Sequence, residues 1–248
     1  MGRLTEGIKH LLIINVLFFI ATSLYGDRFF EWFSLWYPQN PNFGIWQVVS
    51  HMFMHGGFAH ILFNMYALWA FGSPLERMWG TKKFLFFYFS AGLGAALIHT
   101  GVNYYHVRQG LDVLTSAGIQ ESQIFDLLNQ GKYNEAWLQM GPPGVVNKFL
   151  DAFYTPAVGA SGAIYGILVA FGMMFPNSEL FLIFLPIPIK AKYFIPALIL
   201  LDLFSGVTGY SIFGGGIAHF AHVGGALFGF IMMWYWKRNQ FNKNRWDL

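Results

Sequence analysis

The apolar positions of this chain gather into six runs, at about residues 10–25, 58–73, 84–104, 158–175, 193–207 and 217–236. A helix needs about 20 apolar residues to cross a bilayer, and each run approaches that length. Several fall short of a full crossing, so they must pack in a bundle or thin the bilayer locally. The first run begins after a basic stretch, as a signal peptide would. No small-x-small cleavage pattern precedes a soluble domain, and further apolar runs follow, so it is read as a span. The pattern predicts an all-α membrane protein, a six-transmembrane-helix bundle forming one domain over residues 1–248.

Two polar stretches interrupt the runs. Residues 26–57 are dense in aromatic rings, including Phe29, Phe30, Trp32, Phe33, Trp36, Tyr37 and Trp46. Aromatic rings collect at the headgroup level, so this first outer loop is expected to lie in the interface. Residues 105–156 form a long extramembrane insertion, with amphipathic helical patterns at 124–128 and 145–153.

Composition agrees with this plan. Of 248 residues, 55% are hydrophobic and 11% charged, with mean hydropathy +0.44. Soluble domains carry about 25% charged residues. The balance excludes a disordered chain, a nucleic-acid-binding protein and an ordinary cytosolic enzyme. The net charge of +3 is too small for nucleic-acid binding. Cysteine is absent, which removes disulfides, thiolate metal sites and a cysteine nucleophile.

The basic residues divide unevenly between the two sides of the bundle. Eleven fall with the N-terminus, the 76–83 turn, the 176–192 connection and the C-terminus, against four (Arg28, Arg108, Lys132, Lys148) on the other side. The positive-inside rule then places both termini in the cytoplasm. With the compact six-span plan, the expected location is a bacterial cytoplasmic (inner) membrane, multi-pass. Spans two, four and six begin on the outer side.

Polar groups inside spans are costly and mark functional candidates. Asn15 and Ser90 read as helix-packing contacts, and His99 as a group facing the headgroups. Asp202 has no evident basic partner in its own span, and its role stays open. The others converge. Ser161 opens span four within Gly159-Ala160-Ser161-Gly162. His222 lies about one turn into span six. His60 and Asn64 are four apart and share a face of span two. At 1.5 Å per residue these groups reach similar depths in the outer half of the bilayer.

A serine beside a neutral histidine is the chemistry of acyl transfer. His60, Asn64 and backbone N–H groups near Ser161 can receive an oxyanion. Gly225 and Gly229 form a G-x-x-x-G face that can press against Gly159, Gly162 and Gly166, bringing His222 to Ser161. Tyr165, one turn below Ser161, can pack on the imidazole. His219 competes with His222 as base, although the glycine register favours His222.

At these residues the chain resembles the rhomboid family of intramembrane serine proteases. The matching pieces are His51-x-x-x-His55-x-x-x-x-His60-Ile-Leu-Phe-Asn64, Gly159-Ala-Ser161-Gly162 with Tyr165, and Ala221-His222-x-x-Gly225-x-x-x-Gly229. The turn holding Glu76 and Gly80 is similar too. The resemblance implies a Ser161–His222 dyad with no aspartate member and an oxyanion hole lined by His60 and Asn64, with Tyr165 stacked on His222. It implies no cofactor and no metal. The partners would be the lipid bilayer and single-span or other transmembrane protein substrates, cleaved near the outer face. The end of span five and the loop Thr208–Gly216 would act as gate and cap. Two features depart from the bacterial pattern: Trp46-Gln47 stands where Trp-Arg is common, and the 105–156 insertion is unusually long.

Other readings compete. The histidines suggest a metal or haem site, but no H-E-x-x-H is present and no carboxylate stands beside them. A transporter would carry broken helices in matching halves and charged midplane sites. A catalytically weak or inactive relative that binds membrane helices would usually lack the serine or the histidine, and both are present.

Overall fold

The computed structural model describes residues 4–182, 185–210 and 218–239. The chain is mostly helical: α1 (Glu6–Tyr25), α2 (Asp27–Phe33), α3 (Gln47–Ser50), α4 (Phe58–Ala67), α5 (Ser73–Trp79), α6 (Thr81–Ser116), α7 (Glu121–Leu128), α8 (Val145–Tyr154), α9 (Ser161–Met174), α10 (Ala191–Thr208) and α11 (His219–Asn239). A π-helical turn, Leu68–Gly72, joins α4 to α5. The 176–192 connection contains an antiparallel hairpin of β1 (Glu179–Leu182) and β2 (Leu185–Lys190), which hydropathy alone does not reveal.

Among the described residues, α1, α6 and α10 are long and apolar enough to cross a membrane. Their large outward side chains, such as Leu17, Ile20, Leu97, Leu200 and Phe204, are exposed, as lipid contact requires. By contrast, α9 is short and central. Its 14 residues span about 21 Å, less than the hydrocarbon thickness of about 30 Å. Gly162 through Leu168, with Ala170 and Phe171, are all buried. A short helix enclosed by longer ones recesses its first residue, Ser161.

Glycine sets how closely the central helices approach. A Cβ on Gly225 would fall on the Gly162 carbonyl, and one on Gly229 would meet the Gly166 backbone. A Cβ on Gly166 would in turn collide with Ala91 of α6. α9 and α11 therefore pack backbone to backbone, and α6 meets α9 through alanine methyl groups, the close approach that small residues permit in lipid.

Glu76 binds the opposite end. Its carboxylate accepts hydrogen bonds from the Gly7 N–H (2.6 Å), the Ile8 N–H (2.9 Å) and the Thr81 hydroxyl (2.7 Å), and from the Thr5 hydroxyl. Gly7 and Ile8 lie in the first turn of α1, whose N–H groups have no partner within the helix. A carboxylate from α5 thus caps α1 and ties it to the start of α6. Burial pushes the Glu76 pKa up, but the four hydrogen bonds outweigh it and hold it below the ordinary value.

The 26–57 loop is fastened by Gln47, which is fully buried. Its amide donates to the carbonyls of Asn42 (2.7 Å), Trp32 (3.2 Å) and Glu31 (3.3 Å), and its carbonyl accepts from the Trp36 N–H (3.3 Å). The departure at Trp46-Gln47 therefore leaves the loop stapled by an amide. Trp32 and Trp46 stay exposed at its rim, with the Trp46 indole N–H on the Trp32 carbonyl at 2.8 Å.

The insertion is ordered into helices close to the expected ones. α6 continues to Ser116, and α7 and α8 cover it with a separate apolar core of Val107, Leu111, Leu114, Ile124, Phe149 and Phe153. The Asn40 side chain donates to the Phe153 carbonyl at 2.8 Å and joins this unit to the first loop.

Candidate active site

Three backbone contacts shape the turn that delivers Ser161. Leu35 and Ala157 exchange N–H···O bonds of 2.9 Å in both directions, and the Gly159 N–H donates to the His51 carbonyl at 2.9 Å. Gly159 has φ of 120°, a conformation only glycine adopts freely. A Cβ there would also stand 2.8 Å from His60 Nε2. Ser161 then begins α9, and the first N–H groups of a helix have no intrahelical acceptors.

α11 brings His222 to the serine. His222 Nε2 lies 2.8 Å from Ser161 Oγ. Tyr165 stacks on the imidazole, with centroids 4.3 Å apart and planes 11° from parallel. His60 and Asn64 of α4 line the same cleft, together with Leu198, Ser205 and Gly206 of α10. The Gly56 N–H points at His60 Nδ1 (3.4 Å), which favours the proton on Nε2, beside Gly159. The Asn64 amide donates to the His60 carbonyl at 2.9 Å. The cleft has a volume of about 1210 Å³ and reaches Lys148 and Asp151 of α8.

The remaining histidines have separate places. His51 Nδ1 sits 2.7 Å from the Gln47 carbonyl. Burial pushes both His51 and His55 down to about 4, the nearby His60 adding to the effect on His55, so both are neutral at pH 7. His99, expected at the headgroups, instead lines a small cavity behind Ser161 and pairs with Asn103 at 3.1 Å. His219 Nδ1 meets Asp202 Oδ1 at 2.5 Å, whereas His222 is the histidine bonded to Ser161. No group of three or more His, Cys, Asp or Glu is arranged to hold a metal ion among the described residues.

Asp202 is the residue that sequence reasoning did not place. It comes from α10 and contacts His222 Nδ1 at 3.2 Å, His219 Nδ1 and the Tyr165 hydroxyl. Its one signal was a buried-type charge inside a span. The partners lie on other helices, so no local pattern could name them. The cap expected at Gly214, Gly215 and Gly216, and the basic residues Arg3, Lys243 and Arg245, lie outside the described residues.

A family model described as Rhomboid domain matches residues 42–120 and 122–239. Presenilin-associated rhomboid-like protein, mitochondrial, of Bos taurus is 30% identical over 184 residues, 74% of this chain and 35% of its own length. Rhomboid protein 1, mitochondrial, of Saccharomyces cerevisiae is 25% identical over 188 residues, 76% of this chain and 41% of its own length. A mitochondrial rhomboid protein of Schizosaccharomyces pombe is 27% identical over 209 residues, covering 78% and 52% of the two chains. The chain thus spans between about a third and a half of the length of these curated relatives.

These relatives overturn the expected bacterial cytoplasmic membrane, since all three are named as mitochondrial proteins. The physical reason for the error is that a bias of basic loops reports which side of a membrane a loop occupies, not which membrane it is. The matched residues run from the 26–57 loop through α11 and include the whole Ser161 cleft, and the chain belongs to the rhomboid family.

Proposed function

We propose that the chain is an intramembrane serine endopeptidase that cleaves transmembrane segments near the face poor in basic loops. The observation that carries this reading is the 2.8 Å approach of His222 Nε2 to Ser161 Oγ at the recessed start of α9. Tyr165 stacks on the imidazole, and residues of α4 and α10 line the cleft, between which a substrate helix would enter.

In this mechanism the neutral His222 takes the Ser161 hydroxyl proton as Oγ attacks the scissile carbonyl. The oxyanion settles against the free N–H groups at the start of α9, with His60 and Asn64 as side-chain donors. The protonated His222 then gives its proton to the leaving amine. A water, deprotonated by the same nitrogen, releases the acyl group from Ser161. A substrate segment that unwinds readily presents the extended backbone this attack requires. The substrates are membrane proteins, and the names of the relatives support a mitochondrial membrane as the setting.

Reconstitution with a model single-span substrate tests the reading. Wild type is expected to cleave it, and Ser161→Ala and His222→Ala to lose cleavage while remaining folded. A fluorophosphonate is expected to label Ser161. Cleavage by Ser161→Ala at the wild-type rate would refute the mechanism.

A further inference from the structure

The environment of Asp202 carries more than a packing role. The side chain is buried, yet each of its oxygens is engaged: Oδ1 faces His219 Nδ1 at 2.5 Å and His222 Nδ1 at 3.2 Å, and Oδ2 accepts from the Tyr165 hydroxyl. A carboxylate only accepts hydrogen bonds, so both imidazoles must present Nδ1–H to it. For His222 this choice of tautomer leaves Nε2 with its lone pair, and Nε2 is the atom 2.8 Å from Ser161 Oγ. The same carboxylate therefore determines which nitrogen is free to take the serine proton.

The placement depends on three helices. Gly206 of α10 lies against Phe220 and the Cβ of His219, where an added methyl would stand 3.1–3.3 Å from them. That close approach seats Asp202 over the first turn of α11. Tyr165 is fixed twice, by its stack on His222 and by its hydroxyl on Asp202. His219 adds a second imidazole contact to Asp202 Oδ1, at 2.5 Å.

We propose that Asp202 is a positioning residue that makes the Ser161–His222 pair a triad, fixing the Nδ1–H tautomer of His222 and stabilising the imidazolium formed as Ser161 attacks. The proposal rests on the protease reading above. In serine proteases on other folds, replacing such an aspartate by asparagine lowers kcat by about 10⁴-fold while the geometry survives.

The test compares wild type, Asp202→Asn, Asp202→Ala and Ser161→Ala in the same proteoliposomes with one single-span substrate. The expected result is a fall in kcat of about 10²-fold or more for both Asp202 variants, with KM within about twofold of wild type. Fluorophosphonate labelling of Ser161 should slow in parallel. Folded Asp202 variants that keep the wild-type kcat, or that change KM alone, overturn the proposal.

A second measurement covers variants that do not fold. Ring ¹⁵N shifts of histidine-labelled wild type, with His222 assigned by its loss in His222→Gln, are expected to show Nδ1 protonated and Nε2 bare at neutral pH. A His222 protonated on Nε2 overturns the proposal. If wild type cleaves nothing and takes no label, the protease reading fails, and the tautomer still decides the role of Asp202.

Discussion

Gly225 of α11 meets Gly162 of α9 so closely that a methyl group on Gly225 would fall on the Gly162 carbonyl oxygen. Gly162 follows the nucleophile candidate directly, and Gly225 lies one turn beyond His222. The contact between two bare backbones is therefore what sets the 2.8 Å separation of His222 Nε2 and Ser161 Oγ. Gly225→Ala should destabilise the fold by about 1–3 kcal/mol through overpacking. It should also slow fluorophosphonate labelling of Ser161 about tenfold or more, since the two helices must part. Gly101→Ala, where an added Cβ meets nothing within 4 Å, should change neither measurement.

Tyr165 separates two contributions. Tyr165→Phe keeps the ring stacked on His222 but removes the hydrogen bond to Asp202. A hydrogen bond to a charged acceptor contributes about 1.5–3 kcal/mol, and part of that should appear in kcat, as a fall of about tenfold. Tyr165→Ala also removes the stack, worth about 0.5–1.5 kcal/mol, and should fall further. Equal kcat for the two variants would assign the whole effect to the ring.

The cap that Glu76 makes on α1 should be visible in acid. Its pKa in the fold lies below the ordinary carboxyl value, because four hydrogen bonds to the charged form outweigh burial. The stabilisation is thus fully present above about pH 4.3 and is lost as pH falls through the lower folded value. Thermal unfolding in detergent between about pH 3 and 6 should show that loss in wild type. Glu76→Gln should flatten this limb and lower stability at neutral pH by about 2–3 kcal/mol.

Gln47 offers a similar test of the first outer loop. Gln47→Ala removes the donor to the Asn42 carbonyl and the second donor to those of Trp32 and Glu31, which keep the indole N–H groups of Trp46 and Trp36. The expected cost is about 1–3 kcal/mol in thermal stability, accompanied by faster proteolysis within 26–57. Unchanged stability and proteolysis would show that the loop is held elsewhere.

Lys148 and Asp151 put charges of α8 on the outer wall of the cleft. For substrates with acidic residues just beyond the span, Lys148→Glu should raise KM about 2–5-fold at low salt, the scale of an exposed ion pair. The effect should fade at high ionic strength, with kcat unchanged. A KM that ignores both substrate charge and salt would remove α8 from substrate selection.

Much of this architecture was legible along the chain. The apolar runs located the long helices, because a helix in lipid must be apolar over a length fixed by the bilayer. His60, Asn64, Ser161 and His222, which residue counting puts at matching positions along their helices, line one cleft. The G-x-x-x-G face indicated which side of α11 would meet α9. Less was legible in the connections. The hairpin at 179–190 leaves no strong trace in hydropathy, because two short strands pair through backbone groups that every residue carries. The bias of basic loops could not say which membrane holds the protein.

The mostly helical, apolar character of the chain was determined by the sequence itself, since periodicity and hydropathy are properties of one chain segment read alone. The partners of Asp202 were decided only by the tertiary structure. Position 202 lies 37 residues from Tyr165, 17 from His219 and 20 from His222. No regular spacing links them, because the contact is made by the crossing of α10 over α9 and α11. A carboxylate that seemed unpartnered in its own helix is, in three dimensions, the shared acceptor for three side chains around the Ser161–His222 pair.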